Sequence, residues 1–248
     1  MISKKPVQNE KRHPQIGTLQ ETSLHADLKD WYAQPDDRLE VPIDGFVVDI
    51  VRGDLLIEIQ TRHFSALKTK LNVLAPEHPT RLVFPIAQDK WITRLDGDGK
   101  TQIGRRKSPK RGRVEHMFIE LVRFPQLITN GNFSLEVLLI QEEEIWLNDG
   151  QGSWRRKGWS IHDRKLIRVL ERVIFESPQE FAKLLPPSLP RPFTTLDLAR
   201  ALKQPRYLAQ KMAYCLRAMG VIQKTGKKGN SFLYEMDNPV APGQAYRS

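Results

Sequence analysis

The sequence predicts an α/β (α+β) fold: a largely apolar sheet flanked by amphipathic helices, followed by a basic extension and a small helical unit. Three observations predict it. Residues 46–61, FVVDIVRGDLLIEIQT, read as two apolar strands around a Gly53-Asp54 turn. Helical stripes stand on either side, with Leu24, Leu28 and Trp31 before the hairpin and Phe64, Leu67, Leu71 and Leu74 after it. Near the end, two helical segments and a strand-turn-strand stretch follow the proline-rich run LLPPSLPRP.

Taken in order, residues 1–16 are polar and basic with prolines and predict a flexible arm. Thr18 to Ala33 is the first helix, and Glu21 lies one turn before Leu24 on its apolar stripe. A carboxylate there serves either helix N-terminal electrostatics or a functional site. Arg38 to Ile43 is a short strand, and the hairpin follows. Strand alternation puts Leu56, Glu58 and Gln60 on one face and Leu55, Ile57 and Ile59 on the other. The Gly53-Asp54 turn pairs Asp49 with Glu58 and Val47 with Gln60, bringing their Cβ atoms within about 5 Å. Two carboxylates that close repel unless a cation or a shared proton intervenes. A Mg2+ ion with its hard oxygen shell meets that need, and so does a solvated polar face.

A second helix follows in HFSALKTKLNVLA, ended by Pro76 and Pro79, and Thr80 to Ala87 reads as a buried strand. The order is then helix, three strands, helix, strand. With Glu21 on the first helix, Asp49, and Glu58-Ile59-Gln60 on the following strand, it resembles the core of the restriction endonuclease-like, PD-(D/E)xK nuclease superfamily over roughly residues 18–90. The resemblance implies an αβββαβ core in which Asp49 and Glu58 hold Mg2+, with Mn2+ able to substitute, and Glu21 assists. Gln60 stands where that family has the lysine that positions the attacking water, and Val48 replaces the proline before Asp49. Glutamine only hydrogen-bonds, whereas lysine also carries charge and a transferable proton. Some members of the superfamily carry glutamine there and cut DNA. The implied catalytic set is Glu21, Asp49, Glu58 and Gln60.

Trp91 to Gly104 predicts a hairpin turning at Asp96-Gly97-Asp98-Gly99, which lacks the downstream glutamate of a calcium loop. Arg105 to Arg113, RRKSPKRGR, predicts a loop in which Arg105, Arg106, Lys107, Lys110, Arg111 and Arg113 contact phosphates. A helix over Arg113 to Phe124 and a strand over Phe133 to Ile140 follow, with WRRKGW (Trp154 to Trp159) pairing against that strand. The run Glu142-Glu143-Glu144 reads as a solvated edge, and Arg164 to Phe175 as an amphipathic helix capped by Asp163.

Residues 193–236 are similar to winged helix-turn-helix DNA-binding domains: a helix from TTLDLARAL capped by Thr194 or Thr195, a second from RYLAQKMAYCLRAMG, and a hairpin turning through Gly226 to Gly229. The resemblance places the second helix in the major groove, with Arg206, Tyr207, Gln210 and Lys211 as outward groups and Lys227 and Lys228 on the wing. The predicted organisation is an arm over 1–16, a nuclease-like core over 17–104, a basic α+β extension over 105–190, a winged helix over 191–240 and a tail over 241–248.

The net charge of +10 and pI near 9.7 favour a polyanionic partner, and DNA is the expectation. No apolar run is long enough to span a bilayer, and the charged N-terminus has no apolar core after it, so a cytoplasmic protein is expected. The single cysteine, Cys215, excludes an internal disulfide and a cysteine-based zinc site. The functional expectation is a Mg2+-dependent DNA endonuclease, a homodimer if both strands are cut. The alternative is a non-catalytic DNA-binding or regulatory protein on a nuclease-like scaffold.

Overall fold

The computed structural model describes residues 23–237. The predicted N-terminal arm, Glu21 and the tail lie outside the described residues. The chain begins with α1 (Ser23–Tyr32), then β1 (Arg38–Ile43), β2 (Phe46–Arg52), β3 (Leu55–Ile59), α2 (Lys68–Glu77) and β4 (Thr80–Leu95). β5 (Gln102–Lys107), α3 (Phe118–Leu121), β6 (Phe133–Leu147) and β7 (Ser160–Phe175) follow, and α4 (Pro178–Ala182), α5 (Thr195–Leu202), α6 (Arg206–Ala218), β8 (Ile222–Lys228) and β9 (Ser231–Met236) complete it. The fold is mixed α and β.

Seven strands form one mixed sheet in the order β1-β2-β3-β4-β6-β7, with β5 also paired to β4. β3, β4 and β6 run parallel, and the other pairs are antiparallel. Parallel neighbours bury both faces, and this sheet has a cover on each. Leu24, Leu28 and Tyr32 of α1 pack on Ile50, Ile57, Ile59, Val83, Leu138 and Ile140. On the other face Leu82, Phe84 and Ile86 of β4 and Leu135, Val137 and Leu139 of β6 meet α2, α3, α5 and α6. That second core is continuous from Phe64 through Phe118 and Phe181 to Met212 and Cys215. The C-terminal helices therefore share the sheet's core, and the prolines before them mark no break in packing.

Local chemistry explains the turns. Asp44 and Gly45 both adopt left-handed backbone (φ 49° and 81°), the mirror-image turn that matches strand twist in a two-residue hairpin. Thr194 Oγ1 accepts from the Asp197 N–H at 3.2 Å while the Asp197 carboxylate accepts from the Thr194 N–H at 2.9 Å, a reciprocal cap that starts α5.

Several predicted elements are corrected. Arg164 to Phe175 is part of strand β7, not a helix. Its register with β6 shifts at three bulges, which breaks strict alternation and leaves apolar residues at spacings that imitate a helical stripe. The β-branched Ile167, Val169, Val173 and Ile174 suit the strand. Asp163 caps no helix; it accepts from Ser23 Oγ at 2.7 Å. Arg105, Arg106 and Lys107 lie on β5 rather than in a loop, and the loop proper is 108–113. Trp154–Arg156 is a single 3-10 turn joining β6 to β7 and does not pair with β6. Glu142 and Glu144 are buried on β6, between β4 and β7, instead of forming a solvated edge. Pro76 lies inside α2, in its last turn, and β4 runs eight residues past Ala87 to Leu95.

Candidate active site

The β2–β3 hairpin has the predicted register from Ile50↔Ile57 to Arg52↔Leu55, and beyond Ile50 the two strands part. β3 instead pairs with β4, where Glu58 stands opposite Leu82 and the Gln60 N–H donates to Val83 O at 2.9 Å. The expected backbone pairings of Asp49 with Glu58 and of Val47 with Gln60 are both absent. Asp49 and Glu58 nevertheless converge in the opening: the Asp49 N–H donates to Glu58 Oε1 at 3.3 Å, and the Ile59 N–H donates to Asp49 Oδ2 at 2.8 Å.

The two carboxylates differ electrostatically. Burial pushes Glu58 up, the neighbouring Asp49 charge adds to it, and the carboxyl reaches about 7 despite the opposing Lys70 ammonium. Burial acts on Asp49 in the same direction but is outweighed by His25 and the Ile59 N–H, which hold it below its ordinary value. His25 Nε2 of α1 lies 3.3 Å from Asp49 Oδ2. Lys70 Nζ of α2 lies 2.5 Å from Glu58 Oε1 and donates to Val47 O. His25 of α1 thus meets Asp49, and Lys70 of α2 meets Glu58.

Lys70 and His25 are the site residues that sequence reasoning missed. Lys70 stands off the apolar stripe of α2, and only the packing of α2 on the hairpin brings it to Glu58. Gln60 turns its amide away from the carboxylates, donating to the carbonyls of Arg62 and His63. The predicted role for Glu21 falls outside the described residues.

Among the described residues no group of three or more His, Cys, Asp or Glu side chains is arranged to hold a metal. Mg2+ commonly takes only one or two protein carboxylates, the remaining positions being water or substrate phosphate. Asp49 and Glu58 supply that pair, all-oxygen and mutually repelling, so the residues present fit such an ion.

The predicted phosphate-binding cations divide by partner. Arg105 donates to Glu143 at 2.8 Å and lies 4.3 Å from the Trp91 ring centroid. Lys107 and Arg111 reach Asp89 at 3.0 and 3.4 Å, and Arg113 binds Glu115 at 2.7 Å. Arg106 and Lys110 have no carboxylate partner among the described residues. On α6, Arg206 and Gln210 share a face with Tyr214 and Arg217, and with Lys224 and Phe232 of the hairpin they line a hollow of about 240 Å3. Tyr207 is exposed beside it, whereas Lys211 faces inward and donates to Ile119 O at 3.3 Å. Lys211 is therefore not among the outward groups. Lys227 and Lys228 are exposed on β8, with Lys227 5.4 Å from the Phe232 ring centroid.

Fold and site together define a mixed α and β protein with a half-buried Asp49 beside a buried Glu58 at the mouth of a splayed hairpin, and with surface cations of which Arg106 and Lys110 lack a carboxylate partner among the described residues. The chain belongs to the family described as "Domain of unknown function (DUF8091)", which matches residues 22–176 and so ends one residue past β7. It is similar to an uncharacterized protein of Treponema pallidum (strain Nichols), 33% identical over 227 residues that cover 90% of this chain and 88% of the relative. No solved structure matches at a significant level. No helix among the described residues is long and apolar enough to cross a membrane.

Proposed function

We propose that this protein is a Mg2+-dependent DNA endonuclease of the restriction endonuclease-like superfamily. The observation that carries the reading is the convergence of the half-buried Asp49 with the buried Glu58, with Lys70 Nζ 2.5 Å from Glu58. Support comes also from the element order, α1, β1 to β3, α2, β4, around that pair. A bound Mg2+ would lower the pKa of a coordinated water and offset charge developing on phosphorus. Asp49, held ionised, is the standing anionic ligand; Glu58 joins it on losing its proton. Lys70 supplies the cation that Gln60 cannot, and its ammonium is placed to orient the attacking water or to bind a phosphate oxygen. Gln60 shapes the turn at 61–63 beside the site.

The C-terminal helices and hairpin are read as a winged helix, with Arg206, Gln210, Tyr214 and Arg217 toward duplex DNA and Lys227 and Lys228 on its backbone. Cutting both strands calls for two active sites and hence a homodimer. The test is incubation of supercoiled and linear DNA with Mg2+ or Mn2+. Wild type is expected to cut, and Asp49→Ala, Glu58→Ala and Lys70→Met each to lose about a hundredfold or more of the rate. DNA binding with no cutting in either metal would overturn the nuclease reading.

That outcome would favour a second reading, a DNA-binding protein without hydrolytic activity. The Lys70 ammonium already held against Glu58 and the engaged amide of Gln60 are the observations behind it.

A further inference from the structure

A hollow of about 740 Å3 lies at the far end of β4, over the β6–β7 connection. Its floor is electrically closed: Lys90 Nζ contacts Glu142 and Glu144 at 2.8 and 2.5 Å, and Arg164 reaches Glu144 at 3.1 Å. Its walls are not. Arg106 and Lys110 on one side and Arg155 and Arg156 on the other line it, and none has a carboxylate partner among the described residues. Between them stands Trp154, 82% exposed, with the Arg155 guanidinium 5.4 Å from its ring centroid.

An indole of that exposure is costly to leave in water, and the turn carrying it is tightly built. Gly152 N–H donates to Gly158 O at 2.8 Å, and a Cβ at Gly152 would stand 1.8 Å from Trp159 O. Lys157 and Gly158 take left-handed backbone to complete the turn. Lys90 lines a second hollow, of about 280 Å3, whose other wall is Thr61, Arg62 and His63, the turn to which the Gln60 amide is bonded.

We propose that this cleft binds a single-stranded nucleic-acid segment, with Trp154 stacking on an unpaired base and Arg106, Lys110, Arg155 and Arg156 holding its phosphates. The chemistry selects the class. Four cations without a carboxylate partner, of which Arg156 donates to Trp159 O at 3.0 Å and Arg155 lies over the Trp154 ring, call for a polyanion. An exposed indole calls for a base whose own face is free, which duplex DNA does not offer along its length. The inference rests on the nucleic-acid reading above and narrows it: the preferred substrate contains a junction between duplex and single strand.

Binding of labelled dT30, rU30, a blunt duplex and a forked duplex, measured by fluorescence anisotropy in EDTA with the full chain, tests it. Wild type is expected to bind at least one single strand and to prefer the fork over the blunt duplex, the two homopolymers deciding between DNA and RNA. Trp154→Ala should weaken single-strand binding roughly tenfold, Trp154→Phe should restore most of it, and blunt-duplex binding should not move. Lys227→Ala with Lys228→Ala should show the opposite pattern. Single-strand affinity unchanged in Trp154→Ala, or lost equally for every polyanion, overturns the proposal. Because the assay contains no metal, failure of cutting with Trp154-dependent binding intact counts against the nuclease reading alone.

Discussion

Glu58 is where the fold and the proposed chemistry meet most directly. Its carboxyl is raised from 4.5 to about 7, so the folded protein holds that proton more tightly than the unfolded chain. The linked stabilisation is complete below pH 4.5 and is lost as pH rises through 7. Asp49 has the opposite sign, and its window lies below 3.8, so the two do not overlap. In chelator, stability should fall by on the order of 3 kcal/mol between acid and mildly alkaline pH, and Glu58→Gln should remove most of that slope. Urea unfolding at a series of pH values checks it; an unchanged slope in the variant would assign the titration elsewhere. At this scale the nearness of Asp49 and Glu58 is legible in the sequence, because a two-residue turn sets the register as far as Ile50. The parting of the strands beyond it, which replaces their direct pairing by side-chain-to-backbone bonds, is not. Nor is Lys70, because its approach depends on how one element packs on another.

At the scale of elements, local chemistry predicts well and pattern alone predicts poorly. Thr194 and Asp197 stand three residues apart before an apolar run, a spacing that defines a reciprocal cap, and α5 starts there. Thr194→Ala should cost about 1 kcal/mol of stability, read as a shift in the denaturation midpoint with no change in its steepness. β7 is the contrary case. Leu166, Val169, Leu170 and Val173 have helical spacing, yet fifteen residues of β6 offer an open ladder on that side and hydrogen bonding along it decides the outcome. The glutamates of β6 mislead for a related reason: a run of three carboxylates looks solvated until Lys90 and Arg164 arrive from neighbouring strands.

Across the whole molecule, one feature sets the behaviour: the core that runs from Phe64 to Cys215 joins the sheet to the C-terminal helices. Composition shifts and prolines suggest separable units, but buried contacts decide cooperativity. The full chain should therefore unfold in one transition over the described region, with tryptophan fluorescence and far-UV circular dichroism coinciding. A version ending before Phe193 should be poorly soluble, since Met117, Phe118 and Phe181 would lose their cover. Two resolved transitions would show the C-terminal helices to be independent.

β4, sixteen residues long, connects the two sites. Its first residues flank Glu58 and its later ones carry Lys90 and Ile92 into the Trp154 cleft, a run of about 30 Å along the strand. β6 lies beside it for its whole length, with one register shift between Ala87 and Asp89. A strand held so works as a ruler. A nucleic acid gripped at one end and cut at the other would be severed at a constant offset from the point where its bases come apart, whatever their sequence.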